Sequence, residues 1–374
     1  MAAESVGALR PGLDPRDRSL VTVVALASTA QVDQIPFHLD RAMDNGLTAE
    51  EIDPLLRRAG PTADTPAPCG RRLPGIVLHQ ENTPDQGVWK LILNETYTLS
   101  NGVHIPKLGL GTWFIDDDKA ADAVTAAVAI GYRNIDTAQA YGNERGVGEG
   151  IRASDVPREE LFVSTKVAAE IKDYDDAAAA IDASLTALRL DHIDLMLIHS
   201  PQPWDNFRGG DYAEGNRATW RALEDAYQAG KLRSIGVSNF EQRDLDNILS
   251  ACTVAPQVNQ LLVHAGNTPT ELLAYCDSKD ILVQAYSPIA HGEILKNPDI
   301  RAMADRYGVT VPQLCIRYTL QLGTVSLPKT ANPEHMRSNA QVDFVITADD
   351  MDALRNLQAQ DYGEHSVFPV YSGK

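Results

Sequence analysis

Basic side chains are in short supply. The chain carries 33 Lys and Arg against 51 Asp and Glu, a formal net charge of −18 over 374 residues. Phosphate backbones and anionic bilayers are held by a basic face, so neither nucleic acid nor a membrane surface is the expected partner. Cysteine is sparse too. Cys69, Cys252, Cys276 and Cys315 form no C-x-x-C pair and have no His at zinc spacing, so reduced thiols and no metal site are expected. No apolar run is long enough to span a bilayer. The apolar stretch Leu20 to Ala30 follows Asp14, Arg16, Asp17 and Arg18 and reads as a helix, not a targeting signal, in keeping with a cytoplasmic protein. Also missing is a complete G-x-G-x-x-G. Gly109-Leu-Gly111 and Gly146-Val-Gly148 are fragments of it, read here as turn and packing glycines.

The length leaves room for one large domain and an appendage. Residues 1–59 read as the appendage, and as helical. Asp14-Pro15 offers an N-cap followed by proline, Gly46 a helix stop, and Thr48-Ala-Glu-Glu51 a capping box, although Pro54 conflicts with the helix that box opens. Gly60 to Gly75 is dense in Pro, Gly and Ala, and residues 60–93 read as a linker. Over about residues 10–58 the chain resembles the carboxymuconolactone decarboxylase-like family. The likeness rests on Leu13-Asp-Pro-Arg-Asp-Arg-Ser-Leu-Val-Thr, Gln34-Ile-Pro-Phe-His38 and Ala42-Met-Asp-Asn-Gly-Leu-Thr-Ala-Glu-Glu51. Relatives with peroxidase activity carry a C-x-x-C where this chain has Val32-Asp-Gln-Ile35, so thiol chemistry is not expected. His38 reads as an interfacial or solvated side chain. The resemblance implies a remnant that packs, or that joins copies into a homo-oligomer.

From Thr96 the pattern changes. Thr96 to Ser100 and Val103 to Lys107 flank Asn101-Gly102, a two-residue hairpin signal. Eight short apolar runs then alternate with amphipathic stretches. They are Leu108–Gly111, Tyr132–Asp136, Leu161–Thr165, Ile193–Ile198, Ser234–Val237, Gln257–Asn259, Ile281–Ala285 and Thr324–Leu327. Eight strand–helix units in about 230 residues predict a (β/α)₈ barrel over 94–374, capped by the hairpin, with a doubly wound sheet as the rival.

In such a barrel the carboxyl ends of the strands face one site. Thr112 and Trp113 follow the first strand, Asp136 and Tyr141 the second, Lys166 the third and His199 the fourth. Ser238-Asn239, Asn259-Gln260, Tyr286-Ser287-Pro288 and Lys329-Thr330 follow the remaining four. Singly, each has an ordinary reading: Asp136 as a helix cap, Tyr141 as a half-buried aromatic, Lys166 as a solvated amine, His199 as a satisfied structural histidine. Jointly they make an acid, a phenol, an amine and an imidazole at successive strand ends. A Tyr of pKa near 10 is a poor proton donor at neutral pH unless a cation such as Lys166 favours its phenolate. Asp136 would keep that cation charged, and a neutral His199 would orient a carbonyl oxygen. No side chain supplies a hydride, so a nicotinamide cofactor is expected.

Residues 95–374 resemble the aldo-keto reductase family. The motifs are Gly109-Leu-Gly-Thr-Trp113, Gly131-Tyr-Arg-Asn-Ile-Asp-Thr-Ala-Gln-Ala-Tyr-Gly-Asn-Glu144, Ser164-Thr-Lys166, Leu197-Ile-His-Ser-Pro201, Gly236-Val-Ser-Asn-Phe240 and Leu327-Pro-Lys-Thr330. The resemblance implies Tyr141 as general acid, tuned by Lys166 and Asp136, with His199 orienting the substrate. Ser238, Asn239 and Gln260 would hold the carboxamide, and Tyr286 would stack on the nicotinamide. Ser287, Pro288 and Ile289 would run along the pyrophosphate, with Thr112 and Asp136 also against the cofactor. Lys329 and Thr330 match the pair that holds a 2′-phosphate, and Asn339 matches the adenine contact. The usual Arg position holds His335, with Arg337 nearby. NADPH is the expected cofactor, NADH the alternative. Trp113, Tyr141 and His199 would bind a small polar carbonyl such as a keto-sugar or diketone, with Trp204 and Phe207 on the loop Pro201–Asn216. The competing reading is a regulatory subunit that binds the cofactor and turns over little.

Overall fold

A computed structural model describes residues 91–358 and 361–372, so the expectations for residues 1–90, including His38 and oligomerising helices, lie outside the described residues. A short helix, Leu91–Asn94, leads into β1 (Thr96–Thr98) and β2 (His104–Pro106), which pair antiparallel. The hairpin is where the sequence placed it, but its turn takes three residues. Leu99 N–H donates to the Val103 carbonyl at 2.8 Å across Ser100, Asn101 and Gly102. Gly102 adopts a φ of +85°, open to a residue without Cβ. Ile92 and Leu93, placed in the linker by composition, are already buried with the barrel's core.

The eight apolar runs are eight parallel strands. They are β3 (Leu110–Gly111), β4 (Asn134–Asp136), β5 (Phe162–Val167) and β6 (Leu195–Ile198), then β7 (Ile235–Ser238), β8 (Val258–Leu262), β9 (Leu282–Tyr286) and β10 (Val325–Leu327). Each pairs with its neighbours in chain order. Parallel bridges Leu108↔Ser326 and Gly111↔Lys329 bring the first strand against the last, and Gly109 N–H donates to the Ser326 carbonyl at 2.9 Å. The sheet thus closes into the (β/α)₈ barrel, and the doubly wound rival is excluded because its sheet stays open.

The two phases of each strand serve different cores. Val163, Met196, Ile198, Val237 and Val283 face the surrounding helices. Phe162, Leu195, Leu197, Val258 and Val325 fill the barrel interior together with Leu99 and Ile105 of the hairpin. The hairpin therefore plugs the amino-terminal end. Climbing the same inward phase, the residues turn polar: Ser164 and Lys166 on β5, Gln260 on β8, Gln284 on β9, all buried. Among the described residues no helix is long and apolar enough to cross a membrane.

The helix Glu144–Ala153 has no clear local signature, because Gly146, Gly148 and Gly150 depress its propensity. Packing explains those glycines. A Cβ on Gly146 would lie 2.1 Å from the Asp117 carbonyl oxygen, one on Gly148 2.1 Å from that of Leu188, and one on Gly150 2.6 Å from that of Ala121. The helix is pressed against neighbours on both sides at backbone contact. Gly148→Ala should therefore destabilise the protein by about 1–3 kcal/mol despite its better helix propensity. Urea denaturation monitored by circular dichroism tests this, and an unchanged midpoint would refute the packing argument.

Candidate active site

At the carboxyl ends of the strands lies a cavity of about 530 Å³. Asp136, Tyr141 and His199, placed at strand ends by the sequence, line it, and the fully buried Lys166 bonds two of them. Lys166 is 0% exposed, and its ammonium has three protons to satisfy. It donates to Asp136 Oδ2 at 2.7 Å, to the Thr137 carbonyl at 2.8 Å and to Tyr141 Oη at 3.3 Å. The lysine is thus saturated, and it stands 4.9 Å from the centroid of the Tyr141 ring. Because Tyr141 Oη accepts from Lys166, the phenol's own proton is free to be donated elsewhere. Burial lowers the lysine's pKa, opposed by the carboxylates of Asp136 and Glu144.

The expected acidification of Tyr141 by Lys166 is not the balance the structure shows. Burial, with the Asp136 carboxylate adding to it, holds the phenol well above 10. The physical reason is that Asp136 already compensates the lysine's charge, so Tyr141 meets a neutralised pair in place of a bare cation. His199 is held well below 6.5, first by burial and then by the cations Lys166 and Lys172. It is therefore a neutral imidazole, and its Nδ1 is buried without a partner. Its ring stands edge-on to Tyr141 at 5.7 Å and to Trp204 at 5.1 Å.

Most of the predicted cofactor residues line the same cavity. Thr112, Ser238, Asn239, Gln260, Tyr286, Ser287, Pro288, Ile289 and Lys329 all line the cavity, as does Trp113. Thr112 Oγ1 donates to the Asp136 carbonyl at 2.9 Å. Tyr286 Oη donates to Asn239 Oδ1 at 2.7 Å, while Asn239 Nδ2 donates to the His199 carbonyl at 3.1 Å. Three non-glycine residues after β9 have positive φ: Ser287 (51°), Ala290 (46°) and His291 (54°). Such strain, of order 1 kcal/mol or more per residue, persists where the surroundings enforce it and clusters at binding sites. Two open polar groups test whether a nicotinamide dinucleotide fits. Gln260 Oε1 and the Lys329 ammonium make no hydrogen bond among the described residues, and the lysine has no ion-pair partner there. An acceptor at the floor and a cation at the rim suit a carboxamide at one end and a phosphate at the other. Thr330 Oγ1 instead accepts from the Asn332 N–H at 3.0 Å. Thr330 and Asn339 sit beyond the cavity lining, the latter at the end of the helix Pro333–Asn339.

The cavity also holds residues that sequence reasoning missed. Phe114, His291 and Gly292 line the cavity, as do Phe368, Pro369 and Val370 of the C-terminal tail. Phe368 packs against Trp113 at 5.1 Å and Phe114 at 5.7 Å. The tail is anchored by Tyr371 Oη and Ser287 Oγ at 2.7 Å, and by Tyr362 Oη and His264 Nε2 at 2.7 Å. No local pattern marks Phe368 as a wall residue; only the excess of Tyr and Phe between residues 362 and 371 hints at docking. Of the two aromatics proposed on the loop 201–216, Trp204 lines the cavity, whereas Phe207 packs behind it at 5.8 Å.

Residues 107–359 match the model of the aldo/keto reductase family. The chain belongs to that family. It is 40% identical over 267 residues to the glyoxal reductase of Bacillus subtilis, covering 71% of this chain and 93% of that protein. It is 40% identical over 268 residues to the 9,11-endoperoxide prostaglandin H2 reductase of Trypanosoma cruzi, covering 70% and 90%. Among solved structures, a Bombyx mori aldo-keto reductase in complex with NADP superposes with a TM-score of 0.64 at 34% identity, covering 74% of this chain and 98% of that one. Residues 2–67 match the carboxymuconolactone decarboxylase family, so this aldo/keto reductase carries a second family's segment before its barrel. Carbonyl reduction with a nicotinamide cofactor is the general chemistry of such a protein.

Burial also sets an acid limit on this reductase. His264 is pushed down to about 4 by burial, against 6.5 when unfolded. Below pH 6.5 the unfolded chain binds a proton that the folded one refuses, so stability is lost as the pH falls from 6.5 towards 4, by up to about 1.4 kcal/mol per pH unit for this group. Urea midpoints should fall between pH 7 and pH 5, with a shallower fall in His264→Gln. An identical slope in that variant would rule out this histidine as the cause.

Proposed function

We propose that this aldo/keto reductase reduces small polar aldehydes and ketones to alcohols, with Tyr141 as the proton donor and NADPH as the preferred cofactor. The observation that carries the reading is the saturated Lys166, which leaves the Tyr141 proton as the donor beside a neutral, unpaired His199. A bound nicotinamide supplies the hydride. The protein's own groups do the rest. The neutral His199 and the Tyr141 hydroxyl hydrogen-bond the carbonyl oxygen, which orients and polarises it. As negative charge grows on that oxygen, Tyr141 gives up its proton. A phenol held well above 10 stays protonated at neutral pH, and an alkoxide is basic enough to take the proton. The Lys166 ammonium at 3.3 Å then stabilises the phenolate left behind. Trp113, Trp204 and Phe368 keep water from the reacting carbon. Sequence likeness to a glyoxal reductase supports a small dicarbonyl or keto-sugar as substrate.

Tyr141→Phe should lower the rate of NADPH-dependent carbonyl reduction by about 100-fold or more while leaving NADPH affinity within about twofold. Reduction at the parent rate would overturn the assigned proton donor. NADPH binding by the parent with no turnover on any carbonyl of a broad panel would favour the regulatory reading.

The preference for NADPH rests on Lys329, the open cation at the rim. Lys329→Met is expected to weaken NADPH about tenfold and NADH far less, since only NADPH brings a 2′-phosphate to a charge-assisted contact. Equal losses for both cofactors, read by fluorescence titration, would remove Lys329 from that role.

A further inference from the structure

One glutamine in the barrel interior has no task in the chemistry above. Gln284 sits mid-strand on β9, register partner of Gln260 on β8 and of Val325 on β10. Gln284 is 0% exposed and Gln260 2%. Gln284 Oε1 accepts from Gln260 Nε2 at 3.0 Å, while Gln284 Nε2 is buried with no partner. A leucine or methionine would fill this place without stranding an amide donor, so packing alone does not account for the glutamine.

Its value lies in what it does to Gln260. The Gln260 Nε2 has two protons. One goes to Asp136 Oδ1 at 2.8 Å and the other to Gln284 Oε1 at 3.0 Å. Turned over, Gln260 would set its carbonyl oxygen against the Asp136 carboxylate and the Gln284 oxygen, acceptor against acceptor. Asp136 and Gln284 together therefore pin the nitrogen inward and leave Oε1 as the open polar atom of a residue that lines the cavity. Gln284 could itself turn only by presenting a donor to the donor of Gln260. Asp136 gives its other oxygen to Lys166, so the same carboxylate anchors the proton-donor group and this amide.

We infer that Gln284 is a positioning residue: by accepting from Gln260 Nε2 it makes the Gln260 side chain an acceptor towards the cavity, and so selects a carboxamide NH₂ over a group with no N–H. The inference rests on the nicotinamide-dependent reading above. It strengthens a preference that Asp136, as the only other acceptor for the Gln260 amide, would enforce less fully.

The test uses the purified full chain, with tryptophan-fluorescence titrations of NADPH and of its reduced 3-acetylpyridine analogue, whose methyl ketone lacks the NH₂. The parent should bind NADPH about tenfold more tightly than the analogue. Gln284→Met, which removes the acceptor, should lose about five- to tenfold of that ratio, and Gln284→Glu, which keeps one, should retain most of it. Circular dichroism checks folding; should Gln284→Met not fold, Gln284→Thr, too short to reach Gln260, takes its place with the same expected loss. A full ratio in the folded truncation overturns this inference alone. A parent that binds the two equally also overturns it and leaves the reductase reading standing. A parent that binds neither NADPH nor NADH overturns both.

Discussion

An ammonium group with no solvent exposure must find an acceptor for each of its protons or give one up. Lys166 finds three acceptors: a carboxylate oxygen, a backbone carbonyl and a phenol oxygen. Most of the site follows from that requirement. Asp136 is held by the lysine on one oxygen and by Gln260 on the other, which ties the second barrel strand to the third and the sixth. Tyr141 is fixed as an acceptor towards the lysine and therefore as a donor towards the cavity. Asp136 is the obvious acid of the group by residue type, yet both its oxygens are engaged inward. The phenol keeps a hydroxyl proton that the lysine does not engage.

The barrel supports this network by separating polar from apolar along one inward-facing phase. Its lower half is filled by Phe162, Leu195, Leu197, Val258 and Val325 and closed by Leu99 and Ile105 of the hairpin. Its upper half is polar and opens into the cavity. The tail provides the other closure, with Phe368 against Trp113 and Tyr371 against Ser287. Low dielectric on both sides strengthens each hydrogen bond between them and raises the penalty for any that is broken.

Much of this was legible beforehand. Parallel strands buried on both faces read as short apolar runs, and all eight were found, with boundaries off by up to three residues. The floor residues were legible because a strand end has a fixed direction in a closed barrel, so chain position implied convergence. Where reading failed, long-range packing had overridden local preference. The Gly-rich helix Glu144–Ala153 is helical because its neighbours approach to backbone distance. The hairpin took a three-residue turn. The pKa of Tyr141 moved opposite to the expected direction, since its sign depends on burial and on how fully Asp136 offsets Lys166. Neither quantity is contained in residue types.

The amino-acid sequence by itself determined the alternation of strands and helices, the hairpin, and which four side chains stand at successive strand ends. Those are properties of short segments, set by hydrophobic period, turn chemistry and chain direction. The tertiary structure alone decided that Phe368 and His291 wall the cavity, that burial raises the pKa of Tyr141, and that Gln284 accepts a hydrogen bond from Gln260. Each of these depends on atoms brought together from distant parts of the chain, where burial and the count of available partners set the energy and local sequence carries no record of either.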